Sequence, residues 1–397
     1  MSKNLKSNVF FHLLGNLSSR IIPIFFGLFV SRFWGNTDYT KFVELLILGN
    51  LVISFGTAGF IPQLMISNGD KAEKWNVFLI SQFVVFSIIV LITLFNWGET
   101  DTLTYLFLFF FSFGYGFLST LSAILNSNNR YIEVSKVWVA NFIIFLFFCG
   151  AAYFYKIDFF ILLLGYGLVY FLSGIYLLFL VNKLRVVTVK FKREIEKNHI
   201  KEILKNAFFV CGFAGFTLLG FKLIVNNISI QLDKQLFAFS YQLFSIVMFL
   251  PLIFGGIIIP YLSKSNDAKK DKGKSNKFLL FYFIISIIIV AVVLLFLSFL
   301  LKLYSFEPNE HSKETLTFIL LAAIIGAVNT FYIHYFNSYK RYKVTFVAGV
   351  FWCLGIVLPL MYVSFNITSS IFAAKLILAS YFISLIFLMI NRKFNFI

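Results

Sequence analysis

Charged residues are scarce in this chain of 397 residues, since they make up 13% of the sequence while hydrophobic residues make up 60%. The mean hydropathy is +0.88. A soluble domain of this length would carry far more charge on its surface. The sequence also has no GxxxxGKS or GxxxxGKT, no HExxH and no GxSxG motif. These absences argue against an enzyme and against a nucleotide site within the chain.

Cysteine is rare as well. The three cysteines, Cys149, Cys211 and Cys353, each lie inside a long apolar run. A free cysteine in such a run behaves as a small buried hydrophobic residue. Their spacing indicates neither a disulfide framework nor a metal site, and no other cofactor is expected.

Long apolar runs are what the sequence has in abundance. A helix that rises 1.5 Å per residue needs about 20 residues to cross a hydrocarbon core of about 30 Å. The sequence therefore predicts an all-α integral membrane protein with about twelve transmembrane helices. The predicted spans are 8–31, 42–66, 75–96, 103–125, 136–155, 159–182, 207–230, 236–262, 278–301, 316–338, 344–364 and 368–390.

Lysine and arginine are distributed unevenly between the connections of these spans. With a cytoplasmic N-terminus, the inner segments hold 25 of the 34 basic residues and the outer loops hold six. Basic residues are retained in cytoplasmic loops, so both termini are predicted to be cytoplasmic. Confinement of the formal net charge of +17 to one membrane face favours anionic lipid over nucleic acid as the partner of these residues.

The longest inner connection, residues 183–206, divides the spans into six and six. It predicts an N-terminal lobe at 1–182, a basic linker and a C-terminal lobe at 207–397. The motifs NSNNRY at 126–131 and NSYKRY at 337–342 follow the fourth and the tenth span. Six spans is an even number, so the two lobes would be parallel repeats, and we expect them to surround a central cavity, as in transporters.

Three basic residues lie deep in the predicted spans: Arg20, Lys222 and Lys375. A cation within the membrane is costly and usually faces a cavity or a partner. No acidic residue of the spans is placed to pair with these cations, which suggests that the ligand supplies the counter-charge. A phosphate or pyrophosphate would suit such a site. The alternative is that each long side chain extends to the nearer membrane interface.

The stretch NLSSRIIPIFFGLFVSRFWGNTDYTKF, from Asn16 to Phe42, resembles the opening of polysaccharide flippases of the multidrug, oligosaccharidyl-lipid and polysaccharide exporter superfamily. In that pattern an arginine of the first span precedes Ser/Ala-Arg, a glycine and Tyr-Gly-x-Phe. Thr40 stands where the pattern has its second glycine. The matching residues are Arg20, Ser31, Arg32, Gly35, Tyr39 and Phe42.

The resemblance implies a flippase of the bacterial inner membrane, which passes polyprenyl-pyrophosphate-linked oligosaccharide to the outer leaflet by alternating access. The glycan would serve O-antigen or capsule assembly. The pyrophosphate would bind Arg20 and Lys222, with Lys375 as a third candidate, while the polyprenyl tail stays among membrane lipids. Glycan polymerase and other assembly proteins would be partners. A carrier of drugs or other lipids, and a membrane glycan polymerase or ligase, are the two alternatives.

Overall fold

A computed structural model of the chain describes residues 3–66, 71–94, 102–187, 197–263 and 272–394. These residues form fourteen α-helices and one π-helix. In chain order they are α1 (Lys3–Phe33), α2 (Asn36–Ile53), the π-helix (Ser54–Ala58), α3 (Ile61–Ile66), α4 (Lys71–Leu94), α5 (Thr102–Ser127), α6 (Tyr131–Phe154), α7 (Phe159–Lys183), α8 (Lys197–Asn227), α9 (Gln231–Ser263), α10 (Lys272–Leu295), α11 (Leu297–Leu303), α12 (Glu310–Ser338), α13 (Tyr342–Tyr362) and α14 (Ser370–Phe394).

Twelve helical segments of the described chain are long and apolar enough to cross a membrane, with lengths of 21 to 29 residues. Each overlaps one of the twelve predicted spans. The second span, Asn36–Leu64, runs through α2, the π-helix and most of α3. The prediction of an all-α, multi-pass membrane protein is confirmed.

Side-chain caps fix the first turns of two helices. The Asp158 carboxylate accepts a hydrogen bond from the backbone N–H of Phe160 at 2.8 Å, where α7 begins. At the start of α12, Asn309 Oδ1 accepts from the backbone N–H of Ser312, also at 2.8 Å. The first N–H groups of a helix have no partner within it, so these caps set where the two helices begin.

The repeated motifs NSNNRY and NSYKRY form the same turn. Asn129 and Lys340 have φ angles of 59° and 58°, which lie in the left-handed region. The next residue in each motif, Arg130 or Arg341, donates its backbone N–H to the carbonyl five residues earlier, at 3.0 and 2.9 Å. This arrangement is a Schellman helix ending. The sequence repeat is therefore also a repeat of backbone geometry.

The chain folds into two compact units, the first comprising Met1–Phe29 and Leu48–Cys211 and the second Val30–Ile47 and Gly212–Ile397. In the first unit α5 packs along α7, and in the second α12 packs along α14. These pairs are the fourth and sixth spans of each half, so the internal packing also repeats.

The region of the predicted linker is helical from Lys197 onward, because α8 begins there. Residues 188–196 of the predicted linker lie outside the described residues. The lobe boundaries at residues 182 and 207 stay a prediction.

Candidate substrate site

Arg20 lies within the first span, Leu13–Phe33. Ile22 and Phe26, four residues apart on α1, are buried, whereas the Arg20 side chain is exposed on a different face of the helix. Its charge acts on the hydroxyl of Tyr170, which is buried in the same unit. Within the part of the chain that the structure describes, no acidic side chain pairs with Arg20.

Lys222 lies on α8, five residues before the helix ends at Asn227. Its side chain is half-buried and interacts electrostatically with Glu44 of α2 and Lys234 of α9. Glu44 also forms a salt bridge with Lys234, with an Oε1 to Nζ distance of 2.6 Å. The three side chains, all of the second unit, carry a formal net charge of +1 when ionised.

Lys375 occupies the first third of α14, and its side chain is exposed. Its Nζ lies 3.4 Å from Glu314 Oε1 and 4.7 Å from the centre of the Phe318 ring, both on α12. A carboxylate and an aromatic face therefore already neutralise part of this charge.

The expectation that the three cations lack an acidic neighbour was wrong for two of them. Lys222 has Glu44 nearby and Lys375 pairs with Glu314, whereas Arg20 has no such partner among the described residues. Glu44 and Glu314 belong to other helices than the lysines they approach. The only sign of these pairings in the sequence was the presence of acidic residues near the ends of other spans. Such residues do not specify which helices pack together. Arg20 belongs to the first unit and the two lysines to the second, so their convergence on one anion stays a prediction.

The segment Val30–Ile47 is tied to the rest of the second unit by polar contacts that the sequence did not reveal. Ser31 Oγ donates to the backbone carbonyl of Tyr304 at 3.2 Å, and Gln235 Nε2 donates to Thr37 Oγ1 at 3.4 Å. The Tyr304 hydroxyl donates to Gln242 Oε1 at 3.0 Å, and burial raises the pKa of this phenol. The phenol therefore stays a protonated donor at physiological pH.

An Asp, a His and a Ser meet at the first turns of three helices. His311 Nε2 lies 2.7 Å from Asp233 Oδ1 and 3.0 Å from Ser370 Oγ. The backbone N–H of Ser370 also donates to Asp233 Oδ1, at 2.7 Å. A catalytic triad uses the two different ring nitrogens for the acid and the nucleophile. Here one nitrogen faces both partners, so this network fits a structural junction of α9, α12 and α14.

The fold and the cations within the candidate spans define the class: a helical membrane protein with twelve candidate spans, in which most charged groups of the spans are basic. No protein-family model matches this sequence, and no curated protein sequence does either. Solved structures do match it along its whole length.

The MATE transporter VcmN of Vibrio cholerae is 10% identical, with a TM-score of 0.70 over 98% of this chain and 96% of that one. The eukaryotic MATE transporter AtDTX14 is 13% identical, with a TM-score of 0.67 over 99% and 95%. A MOP superfamily transporter of Pyrococcus furiosus is 12% identical, with a TM-score of 0.66 over 99% and 96%. The chain is thus a multi-pass membrane protein with the fold of the MATE transporters.

Proposed function

We propose that the chain is a flippase that carries polyprenyl-pyrophosphate-linked oligosaccharide units across the bacterial inner membrane. In this proposal the units move from the cytoplasmic to the outer leaflet by alternating access, for assembly of O-antigen or capsule. The MATE fold supports the carrier part of the proposal, since the proteins that share it are described as transporters. The resemblance of the segment from Asn16 to Phe42 to polysaccharide flippases supports the substrate class.

The observation that carries the proposal is the charge of Arg20. Its guanidinium is exposed on a membrane-spanning helix and has no acidic partner among the described residues. Guanidinium binds phosphate oxygens in a bidentate manner, and such bonds are stronger in a site of low dielectric. The trio of Lys222, Glu44 and Lys234 retains one positive charge, so it also favours an anion. In our proposal Arg20 and Lys222 bind the pyrophosphate, with Lys375 as a further contact.

The solved structures show one precedent for variation of charge within this fold. The binding pocket of the Pyrococcus furiosus protein has a reversed polarity, which suggests a different function for that protein. The polarity of the binding pocket is therefore not the same in all proteins with this fold. Basic residues in the spans of the present chain favour an anionic substrate over a cationic one.

A carrier of drugs is the second candidate, because one structural relative is described as a multidrug resistance transporter. The two candidates differ in the phenotype of a deletion strain. Loss of surface glycan with retention of lipid-linked units at the cytoplasmic face supports the flippase. Changed drug sensitivity with normal surface glycan supports the drug carrier.

The decisive test uses variants of Arg20 in a complemented deletion strain, with surface glycan normalised to the amount of protein in the membrane. Arg20→Ala should weaken substrate binding about 10- to 100-fold, the effect of one lost charge-assisted hydrogen bond. Lys222→Ala should impair export as well. Arg20→Lys should retain part of the activity, because the charge survives without the planar guanidinium.

Lys313→Ala is the matched control, since Lys313 is an exposed lysine at the start of α12 and takes no part in the proposed site. It should leave export unchanged. If the Arg20→Ala, Lys222→Ala double variant exports glycan at the full rate, the two residues do not bind pyrophosphate. The cytoplasmic location of both termini and the contribution of a glycan polymerase and other assembly partners are part of the same proposal.

A further inference from the structure

An apolar pocket lies within the first unit, at the junction of the π-helix, α4 and the first half of α8. Its volume is about 430 Å³, which is within the range of about 300–1,000 Å³ that is typical of small-molecule sites. All of its lining residues belong to candidate membrane spans. Its walls are formed mainly by Phe55, Phe60, Val84, Ile88, Leu204 and Phe208.

The π-helix and the turn after it shape this pocket. A π-helix is rare, and where it occurs it is frequently part of a functional site. Here it carries Phe55 into the pocket wall. Directly after it, Gly59 lies so close to α8 that a Cβ at this position would be 2.2 Å from the carbonyl oxygen of Ala207. One turn further, Gln63 Nε2 donates to the backbone carbonyl of Ile203 at 3.2 Å. These contacts join the segment after the π-helix to α8, so the pocket lies at a closely packed helix junction.

The α8 wall has a charged end and an apolar end. Lys201, Leu204, Lys205 and Phe208 follow the spacing i, i+3, i+4, i+7 and therefore share one face of the helix. All four side chains are exposed. The face thus places two ammonium groups within about 10 Å of the aromatic part of the pocket along the helix axis. An anionic head group beside the lysines would leave its hydrocarbon chain next to the pocket.

We infer that this pocket is a docking site for the polyprenyl tail of a pyrophosphate lipid, with the pyrophosphate at Lys201 and Lys205, and that it is separate from the site of Arg20 and Lys222. The inference rests on the proposed function and adds a tail site in the first unit. A hydrocarbon chain from the membrane fits an apolar pocket whose walls are helices of the candidate spans. The pocket, of about 430 Å³, has room for part of the one chain of a polyprenyl lipid, whereas a phospholipid would divide its two chains between the pocket and the bilayer. Two lysines also match the greater charge of a pyrophosphate better than that of a single phosphodiester.

The first experiment uses the full-length protein in lipid nanodiscs and a polyprenyl pyrophosphate that carries a photoreactive diazirine in its tail. We expect labelling within residues 54–60, 84–88 and 204–211, and competition by unlabelled polyprenyl pyrophosphate. Ile88→Trp fills the pocket and should lower labelling about tenfold, as expected when about two buried methylene groups are displaced. Leu91→Trp is the matched control, because Leu91 is on the same helix and 51% exposed, outside the pocket lining.

The second experiment leaves the helix junction intact. The double variant Lys201→Ala, Lys205→Ala should bind polyprenyl pyrophosphate roughly 30-fold more weakly, because each lysine contributes about 1 kcal/mol to the attraction of an anionic lipid. Its binding of uncharged polyprenol should stay unchanged. Lys340→Ala, Lys343→Ala removes two exposed lysines of the second unit and should change neither. This arm also covers the case in which Ile88→Trp fails to fold.

Three outcomes would overturn the inference: labelling outside the pocket, equal competition by phosphatidylglycerol, or full labelling of Ile88→Trp together with full affinity of the double lysine variant. Glycan export separates this inference from the proposed function. Tail labelling without glycan export would contradict the flippase and leave the site standing. Glycan export without tail labelling in the pocket would contradict the site and leave the flippase standing.

Discussion

One carboxylate, that of Glu44, faces two lysines in the second unit. It forms the 2.6 Å salt bridge with Lys234 and interacts electrostatically with Lys222. Both members of the salt bridge are about one-fifth exposed, so solvent screens the pair only in part. Glu44 therefore lowers the attraction that this lysine pair exerts on an anion. It also prevents direct repulsion between the two lysines.

Neutralising this carboxylate should strengthen anion binding and weaken the fold. Glu44→Gln raises the formal net charge of the trio from +1 to +2. We expect inorganic pyrophosphate to bind about fivefold more tightly, because one ion pair of about 1 kcal/mol no longer competes for the lysines. The melting temperature in detergent should fall, since two cations then lie together without a counter-charge. Calorimetric titration and a thermal melt measure the two effects.

Glu310→Gln is the control for this experiment, since it removes the same charge from an exposed position at the start of α12. It should alter neither binding nor melting. Equal effects of the two substitutions would mean that only total charge matters. Unchanged binding in Glu44→Gln would mean that Lys222 and Lys234 do not meet the anion.

The sequence located the candidate cations but not their neighbours. Arg20 and Lys222 stand out because charges are rare in apolar runs, and this signal needs no tertiary information. The pairing of Glu44 with Lys234 joins residues about 190 positions apart in the chain, and it depends on which helices pack together. Hydropathy carries no information on that choice, so the counter-charge of Lys222 was missed.

At the scale of the helices, α5 packs closely against α7 at Gly114. A Cβ at this position would lie 2.3 Å from the backbone nitrogen of Phe171 and 2.4 Å from the carbonyl carbon of Tyr170. Neither backbone atom can move without shifting α7. Gly150, on α6, has no such neighbour within 4 Å. The two glycines therefore separate the steric effect of an added methyl group from its effect on helix propensity.

Gly114→Ala should destabilise the protein by about 1–3 kcal/mol, as expected for overpacking a closely fitted interface. Gly150→Ala should be neutral or stabilising by up to about 1 kcal/mol, because alanine is the better helix former. Thermal melts of the two variants in the same detergent provide the comparison. If the melting temperature of Gly114→Ala is equal to or above that of Gly150→Ala, α5 and α7 do not pack as closely in the protein as they do in the structure.

Helix number and position were predictable because each span is a block of apolar residues of the length that a bilayer requires. The departures from regular helix were not. The π-helix at Ser54–Ala58 and the short helix α11 interrupt or follow apolar runs without a change in composition. The turn that follows the π-helix, for example, lies against α8 at Gly59. Local sequence does not encode such contacts.

At the scale of the whole molecule, the repeated turns constrain the membrane topology. The turns around Asn129 and Lys340 have the same left-handed residue and the same Schellman hydrogen bond. One follows the fourth candidate span and the other follows the tenth. Six spans separate them, and an even number of crossings returns a chain to the side from which it started. We therefore expect both turns to lie on one side of the membrane.

Reporter fusions should place that side in the cytoplasm. Fusions after Arg130 and Lys340 should give fluorescent protein and inactive alkaline phosphatase. Fusions after Glu310 and Asn366, each one span away from the Lys340 turn, should give the reverse result. The physical reason is the bias of 25 basic residues on the predicted inner side against six on the outer side. Opposite results at Arg130 and Lys340 would contradict the twelve-span structure itself. Matching results with external activity at both turns would keep the spans and invert the predicted orientation, and with it the direction of glycan transport.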